Sequence, residues 1–378
     1  MTRIPVARPV LGEEEITEIA RVVRSGWVTQ GPEVAAFEEE FAETLGTPHA
    51  CAVSSCTTAL HVALLALGVG PGDEVITVSH TFIATVNAIR HAGATPVLID
   101  IDPLTYNMDP ELIEGAVTPR TKVIMPVHQL GMPADLDAIY AVARKHGLAV
   151  IEDAACAIGS EYKGKVIGGD ARLACFSFHP RKVVTTGDGG MIVTSSEELD
   201  RQFRPLRQHG MSVPDTVRHA ASKVIFEQYV GLGYNYRMTD IQAAVGRVQL
   251  RRLPEMLERR RAVAARYNAA LKGHPHLRPP FVPEYANPNF QSYPVRVAKG
   301  SPIARDDLMQ QLLNRGIATR RGVMSVHREP AYTSAYPPIS LPNSEAATDE
   351  VIMLPLFAQM TEAEVELVVD ALLSLCPA

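Results

Sequence analysis

Apolar positions fall at helical spacing over residues 13–25, where Ile16, Ile19, Ala20 and Val23 share a face, and again over Glu33–Leu45. From about residue 48 the period changes. Short apolar runs at Ala50–Val53, Glu74–Val78, Pro96–Ile101, Lys122–Val127, Ala149–Ile151, Ala174–Phe178 and Met191–Thr194 read as strands. Helical spacing lies between them at Thr58–Leu67, Phe82–His91, Pro110–Ala116 and Leu136–His146. This alternation predicts an α/β chain with a mainly parallel, doubly wound sheet covered on both faces. Ligands of such sheets bind beyond the carboxyl ends of the strands.

Past residue 195 the rhythm ends. Glu197–Gln208 reads as a helix, 211–230 as irregular, and 231–237 as a loop of polar and aromatic groups. Thr239 and Asp240 open a long helix to Leu271, expected to bend near Pro254. The remainder reads as a smaller α+β unit, with a strand near Ser292–Val297 and helices near Ile303–Arg315 and Glu362–Leu375. The boundaries drawn are 12–250 for a large domain and 251–378, with residues 1–11, for a small C-terminal one.

Composition narrows the class. Of 378 residues 46% are hydrophobic and 21% charged, as in ordinary globular proteins. A net charge of -6 gives no general attraction to nucleic acid or anionic membrane. The cysteines at 51, 56, 156, 175 and 376 form no CxxC pair, which speaks against a disulfide framework or zinc site and for a reducing compartment. The N-terminus lacks the apolar core of a signal peptide. The best apolar run, Leu60–Val69, contains His61 and falls short of the ~20 residues of a membrane helix. A cytoplasmic protein without metal is expected. No G-x-G-x-x-G opens a helix, and no P-loop occurs.

The strand ends carry the chemistry. Ser54-Ser55-Cys56-Thr57-Thr58 runs from a strand into a helix and offers hydroxyls and free amides to a phosphate. Phe82 follows the second strand, and Glu152-Asp153 follow a buried one, where a carboxylate needs a partner. Ser177 ends the strand at Ala174–Phe178, and Pro180 stops it. Lys182 then stands between that strand end and Gly187-Asp188-Gly189-Gly190, fixed yet with room around its amine. A phosphate cradle, an aromatic face, an acid and a framed lysine are the handles pyridoxal phosphate needs.

As a set, Ser54–Leu60, Gly72–Ile76, Ile151–Ala155, Phe176–Pro180 with Lys182, and Tyr234–Ala244 resemble the DegT/StrS family of sugar aminotransferases. The resemblance runs from Ser25-Gly26-Trp27 to Leu354-Pro355-Leu356. It implies the type I aminotransferase fold, pyridoxal 5'-phosphate as cofactor, and a homodimer with shared active sites. It also implies ping-pong transfer of an amino group from glutamate or glutamine to a keto-sugar, typically nucleotide-linked. Carried over by position, Lys182 is the Schiff-base lysine and proton carrier, and Asp153 the partner of the ring nitrogen. Phe82 stacks on the ring. Cys56, Thr57 and Ser177 hold the phosphate. Asn235 reaches the partner's cofactor, and Arg237 lies at the mouth of that site. His327 and Tyr332 belong to a segment that approaches substrate. Two departures stand out. Cys156 replaces the usual Gln or His beside the cofactor's phenolic oxygen, and a thiol is a weaker donor. Arg320 and Arg321 add charges suited to a diphosphate or carboxylate. Relatives with histidine in place of the lysine are dehydratases, so Lys182 favours transamination over a dehydratase or deoxygenase. A non-catalytic regulator on the same fold is the remaining alternative.

Overall fold

The computed structural model describes residues 3–378 apart from 172, 215, 216, 219, 220 and 334–337. Positions 215, 216, 219 and 220 of the stretch read as irregular therefore lie outside the described residues, as do Met1 and Thr2. Helices α1 (Glu13–Ser25) and α2 (Pro32–Leu45) precede β1 (His49–Val53). Next come α3 (Cys56–Ala66), β2 (Glu74–Val78), α4 (Ala84–His91), β3 (Thr95–Ile99) and α5 (Ile113–Ala116). They are followed by β4 (Thr121–Ile124), α6 (Leu136–His146), β5 (Ala149–Val150) and β6 (Glu152–Asp153). A hairpin of β7 (Glu161–Tyr162) and β8 (Lys165–Val166) leads to β9 (Ala174–Ser177), β10 (Gly190–Thr194) and α7 (Glu197–Arg207). Helices α8 (Asp240–Arg251) and α9 (Leu253–Leu271) lead into the C-terminal part. That part holds β11 (Leu277–Arg278), β12 (Ala286–Asn287), β13 (Tyr293–Val297), α10 (Arg305–Asn314) and β14 (Arg320–Arg321). It ends with α11 (Pro330–Thr333), α12 (Pro342–Glu350), β15 (Val351–Leu354) and α13 (Glu362–Leu375).

The strands run in the order β1-β10-β9-β6, continued by β5-β4-β2-β3. The Asp153 amide donates to Pro126 O at 2.9 Å and the Ile151 amide to Ile124 O at 3.1 Å, which joins the two runs. All pairings are parallel except those of β10, which is antiparallel to both β1 and β9. The sheet is thus mainly parallel with one reversed strand. Residues 178–189 connect two antiparallel neighbours, and this reversal carries Lys182.

Alternation along the strands feeds two cores. Ala50, Ala52, Ala174, Phe176, Met191 and Val193 face α2 and α8, while Cys51, Val53, Cys175 and Ile192 face α3 and α4. Phe37 and Phe41 of α2 meet Phe178 and Phe176 at centroid separations of 5.3 Å for Phe37–Phe178 and Phe41–Phe176. Such tilted aromatic pairs anchor α2 to the sheet.

Glu38, also on α2, is buried among cations. It pairs with Arg207, and with Arg204 at 3.0 Å, and accepts the Ala52 amide at 2.9 Å. Burial alone would raise its pKa, but Arg207 and Arg204 outweigh it and hold the carboxyl below the usual range. A carboxylate with a lowered folded pKa contributes stability above its unfolded pKa and loses it as pH falls through the folded one. Glu38→Gln leaves the buried Arg207 without its counter-charge, a loss of about 3–5 kcal/mol. Urea unfolding at pH 7 is expected to show a reduced midpoint, and the gap to wild type is expected to narrow toward pH 3. An unchanged midpoint at pH 7 would refute this.

The helix expected to bend near Pro254 is instead two helices that break at Arg252. Pro254 lies in the first turn of α9, where its missing N–H costs no bond. The capping pair also divides its work. The Thr239 hydroxyl accepts the Gln242 amide of its own helix at 3.2 Å. Asp240 instead caps α2, accepting the amides of Gly31, Val34 and Glu33 at 2.7, 3.1 and 3.2 Å.

In the C-terminal part, β11, β13, β15 and β14 form a second, antiparallel sheet. Its core includes Leu277, Val295, Leu308, Ile352 and Val368, together with Ile4 from the chain's start. Residues 323–333 and 338–350 are bound to the ends of β2 and β3. Val326 N–H donates to Ser79 O at 2.9 Å, and Asp100 accepts from the amides of Asn343 and Ser344 at 2.9 and 2.8 Å.

Candidate functional site

The site lies where α3 begins and where β6 and β9 end. Helix α3 starts with a capping box: Ser55 Oγ accepts the Thr58 amide at 3.1 Å, and Thr58 Oγ1 accepts the Ser55 amide at 3.0 Å. The amides of Cys56 and Thr57 fall in the first turn, where no upstream carbonyl can take them, and the helix dipole adds positive potential. Cys56 is buried, and its thiol donates to Cys175 O at 3.7 Å. Burial pushes this thiol well above its ordinary pKa, so Cys56 offers an anion its backbone and not a thiolate. A Cβ on Gly190 would lie 2.5 Å from the Ser55 carbonyl carbon, so only glycine lets β10 pass beneath the cradle.

Asp153 is buried, with 3% of its surface exposed. It lies within β6, paired with Cys175 of β9, one position further into the sheet than the sequence pattern suggests. Thr85 Oγ1 of α4 donates to Asp153 Oδ2 at 2.7 Å, and the Ala155 amide to Oδ1 at 3.1 Å. Thr81 Oγ1 lies 2.9 Å from Thr85 Oγ1 and completes the chain. Burial raises the Asp153 pKa, against these two hydrogen bonds and the charge of Lys182. A buried carboxylate facing a cation it must hold is the acid a protonated ring nitrogen requires.

Lys182 is half-buried. Its Nζ donates to Cys156 Sγ at 3.0 Å, and its amide to His179 O at 2.8 Å. Desolvation opposes its charge, but Cys156, Cys56 and Asp153 leave the ammonium above its usual pKa. Ser177 Oγ, at the end of β9, accepts the His179 amide at 3.5 Å. Phe82 follows β2 with 56% of its surface exposed, an aromatic ring left uncovered beside a strand end. Acid, amine, aromatic ring and helix N-terminus are groups whose chemistry suits pyridoxal phosphate.

The loop 231–237 packs against the cradle: Ser54 N–H donates to Tyr236 O at 2.8 Å. Tyr234 and Tyr236 stack at 4.9 Å, and Tyr236 OH lies 3.1 Å from His61 Nδ1. Asn235, between the two tyrosines, is exposed, and Arg237 is half-buried. His327 and Tyr332 are both engaged. His327 Nδ1 lies 2.6 Å from Ser79 Oγ and its Nε2 3.3 Å from Glu345 Oε1. Tyr332 is 6% exposed, and its hydroxyl donates to Asn87 at 2.6 Å. Arg320 is exposed on β14, while Arg321 pairs with Glu329 at 3.4 Å.

Two residues near the site, Thr85 and Arg181, escaped the sequence reading, which had named Glu152 only as a strand-end carboxylate. Thr85 orients Asp153 from a neighbouring helix. Glu152, next to Asp153, is held by Tyr140 at 2.8 Å and His128 at 3.1 Å. His128 Nδ1 accepts the Ala134 amide at 3.0 Å, so its proton sits on Nε2 and points at Glu152. Arg181 precedes Lys182, and that adjacency was its only signal. A cavity of about 310 Å³ is lined by Tyr140, Glu152, Tyr162, Lys163 and others. Neither Asp153 nor Lys182 lines it, so it is separate from the lysine site. Among the described residues no cluster of His, Cys, Asp and Glu could hold a metal, and no helix is long and apolar enough to cross a membrane.

Residues 9–373 match the model of the DegT/DnrJ/EryC1/StrS aminotransferase family. Among solved structures, the chain is similar to DesV of S. venezuelae, in complex with a ketimine intermediate, at 37% identity and a TM-score of 0.92 over 100% of both chains. It is similar to Spr1654 of Streptococcus pneumoniae, whose PMP form is 33% identical with a TM-score of 0.92 over 98% of both chains. That protein is also solved in a PLP form. Helicobacter pylori PseC, an aminotransferase of pseudoaminic acid biosynthesis, is 28% identical with a TM-score of 0.90 over 99% of both chains.

Proposed function

Because the chain belongs to the DegT/DnrJ/EryC1/StrS aminotransferase family, whose members depend on pyridoxal phosphate, we propose that it aminates a keto-sugar, carried on a nucleotide, with glutamate or glutamine as donor. The observation that carries this reading is the meeting of Lys182 with the buried, Thr85-oriented Asp153 beside the start of α3. The cofactor, when bound, supplies an electron sink through which an amino group passes between two carbonyl carbons in ping-pong order.

The chain's residues supply the rest. Amides of Cys56 and Thr57, with the Thr57 and Ser177 hydroxyls, hold the phosphate. Phe82 covers one face of the ring. The Asp153 carboxylate keeps a proton on the ring nitrogen and so sustains the sink. The Lys182 amine takes a proton from the substrate carbon and returns it to the other end of the system. The Cys156 thiol, beside Nζ, stands where it can donate weakly to the phenolic oxygen. His327 and Tyr332 line the approach of substrate from the docked residues 323–333, and Arg237 and Arg320 bring positive charge to it.

A homodimer completes the proposal. Phe226, Val224 and Leu232 expose 87%, 81% and 81% of their surfaces, and Tyr229 and Val230 expose 63% and 67%. An apolar stretch of this kind needs a cover, and it runs directly into the exposed Asn235. A second copy covering it would bring Asn235 to the partner's phosphate. The test of the function is spectroscopic. Glutamate or glutamine is expected to bleach the visible absorbance of the holoenzyme, and a nucleotide-linked keto-sugar from a panel to restore it. A spectrum unmoved by every amino donor would sink the aminotransferase cycle and favour the dehydratase chemistry.

A further inference from the structure

One contact in the site has a chemistry that amino transfer does not use. Lys182 Nζ donates to Cys156 Sγ at 3.0 Å. Cys156 also differs from the chain's other cysteines. Those at 51, 56, 175 and 376 are buried, and Cys156 alone is partly exposed. An oxidant that enters the site as substrates do therefore meets this sulfur first.

The contact is held from behind. Asn289 is buried, and its Nδ2 donates to Cys156 O and to Ile158 O, each at 2.8 Å. Gln291 Nε2 donates to Arg181 O at 2.9 Å, and the Gln291 amide donates to Asn289 Oδ1 at 2.7 Å. One short segment thus fixes the main chain of Cys156 and the main chain next to Lys182. Sulfur and nitrogen are presented to each other by backbone that is already in place, which makes a reaction between them intramolecular. Oxidation takes a thiol first to a sulfenic acid, which condenses with a nearby thiol or nitrogen. The Cys56 thiol is engaged with Cys175 O at 3.7 Å, whereas the Lys182 amine lies against the Cys156 sulfur.

We propose that Cys156 is an oxidation site, at which a hydroperoxide joins its sulfur to the Lys182 nitrogen and reversibly switches the lysine off. In the first step the thiol sulfur gives two electrons to the peroxide, whose O–O bond breaks, and hydrogen peroxide leaves a sulfenic acid and one water. In the second, the lone pair of the neutral Lys182 amine attacks that sulfur. The S–O bond breaks, and the hydroxyl departs as water with one amine proton. The product is an S–N bond, lighter by two hydrogens than the separate thiol and amine. A thiol reductant reverses it. One equivalent takes the sulfur as a mixed disulfide and frees the amine, and a second frees Cys156 and leaves as the reductant's own disulfide. The bond needs a free amine, so a cofactor attached to Lys182 protects the pair. The timing rests on the function proposed above: in turnover the amine is free once the donor has passed its amino group to the cofactor.

The experiment treats the wild-type enzyme with hydrogen peroxide in four states. These are the holoenzyme, the holoenzyme after glutamate, the holoenzyme whose Lys182 borohydride has capped with the cofactor, and the protein stripped of cofactor. Non-reducing digests are read by mass spectrometry. Peptides joined through Cys156 and Lys182, lighter by two hydrogens, are expected after glutamate and in the stripped protein. They should be scarce in the untreated holoenzyme and missing from the capped one. Activity of the glutamate-treated enzyme should fall in proportion to the joined fraction, and dithiothreitol should reverse both changes. Cys156→Ser and Lys182→Ala should each abolish the joined pair, and in Lys182→Ala the sulfur should advance to the sulfinic acid. A wild-type Cys156 that reaches the sulfinic acid with Lys182 free in every state would overturn the inference. So would a disulfide from Cys156 to another cysteine, or a sulfur that peroxide leaves untouched. If the stripped protein forms the joined pair while glutamate neither bleaches the holoenzyme nor frees its lysine, the oxidation site stands and the donor reading fails.

Discussion

Lys182→Ala is expected to remove the borohydride-sensitive visible absorbance of the purified protein and to lower turnover by on the order of 10⁴-fold or more. The geometry leaves little room for a substitute. Lys182 sits in the reversal between β9 and β10, its amide fixed on His179 O and its amine on Cys156 Sγ. Its own charge is coupled to Asp153, the acid at the other end of the site. The fold should tolerate the change, because Lys182 is only half-buried and Asp153 keeps its bonds from Thr85 and Ala155. Unchanged far-ultraviolet circular dichroism checks that point. Absorbance retained in the variant, and reducible onto another lysine, would defeat the assignment.

The second large effect separates stability from function. Asp153→Asn should lower kcat by about 10²–10³-fold, as loss of one fixed electrostatic partner does, yet make the cofactor-free protein more stable at neutral pH. Burial raises the Asp153 pKa in the folded chain. A group that holds its proton more tightly when folded contributes stability below its unfolded pKa, and that contribution is lost as pH rises through the folded value. Above that folded value the wild-type apo protein carries a buried charge that the asparagine lacks. The amide also finds partners. Thr85 Oγ1, 2.9 Å from Thr81 Oγ1, can donate to Thr81 and accept from the new NH₂. Thermal midpoints of both apo proteins are expected to lie closest near the unfolded carboxyl pKa, about 3.9, and to separate as pH rises above it, the variant ending higher by ~1–3 °C. A variant less stable at pH 8, or one of unchanged turnover, would contradict the role given to Asp153.

Some of this site was legible before any coordinates. Ser55, Asp153 and Lys182 each follow or end a short apolar run, and parallel sheets gather such positions at one edge whatever lies between them in the chain. The reversed β10 was not legible, because five buried residues bounded by glycine and serine read alike in either direction. Thr85 was hidden for a related reason: its hydroxyl lies on a buried helix face, where threonine commonly only packs. The docking of residues 323–333 and 338–350 rests on isolated bonds to Ser79 and Asp100, which carry no periodic pattern.

Glu152 and Asp153 place acids on opposite faces of one strand, each with dedicated donors: Tyr140 and His128 on one side, Thr85 on the other. Sliding β6 by a single residue against β9 would exchange them. Glu152 would then enter the lysine site with a longer side chain, and Asp153 would face His128 and Tyr140 from too far away. Both mismatches would occur together, in the interior, where unmet donors and acceptors are most costly. The adjacent acids therefore act as a vernier on the sheet, and a one-residue slip of β6 is penalised at the position where the acid must be placed.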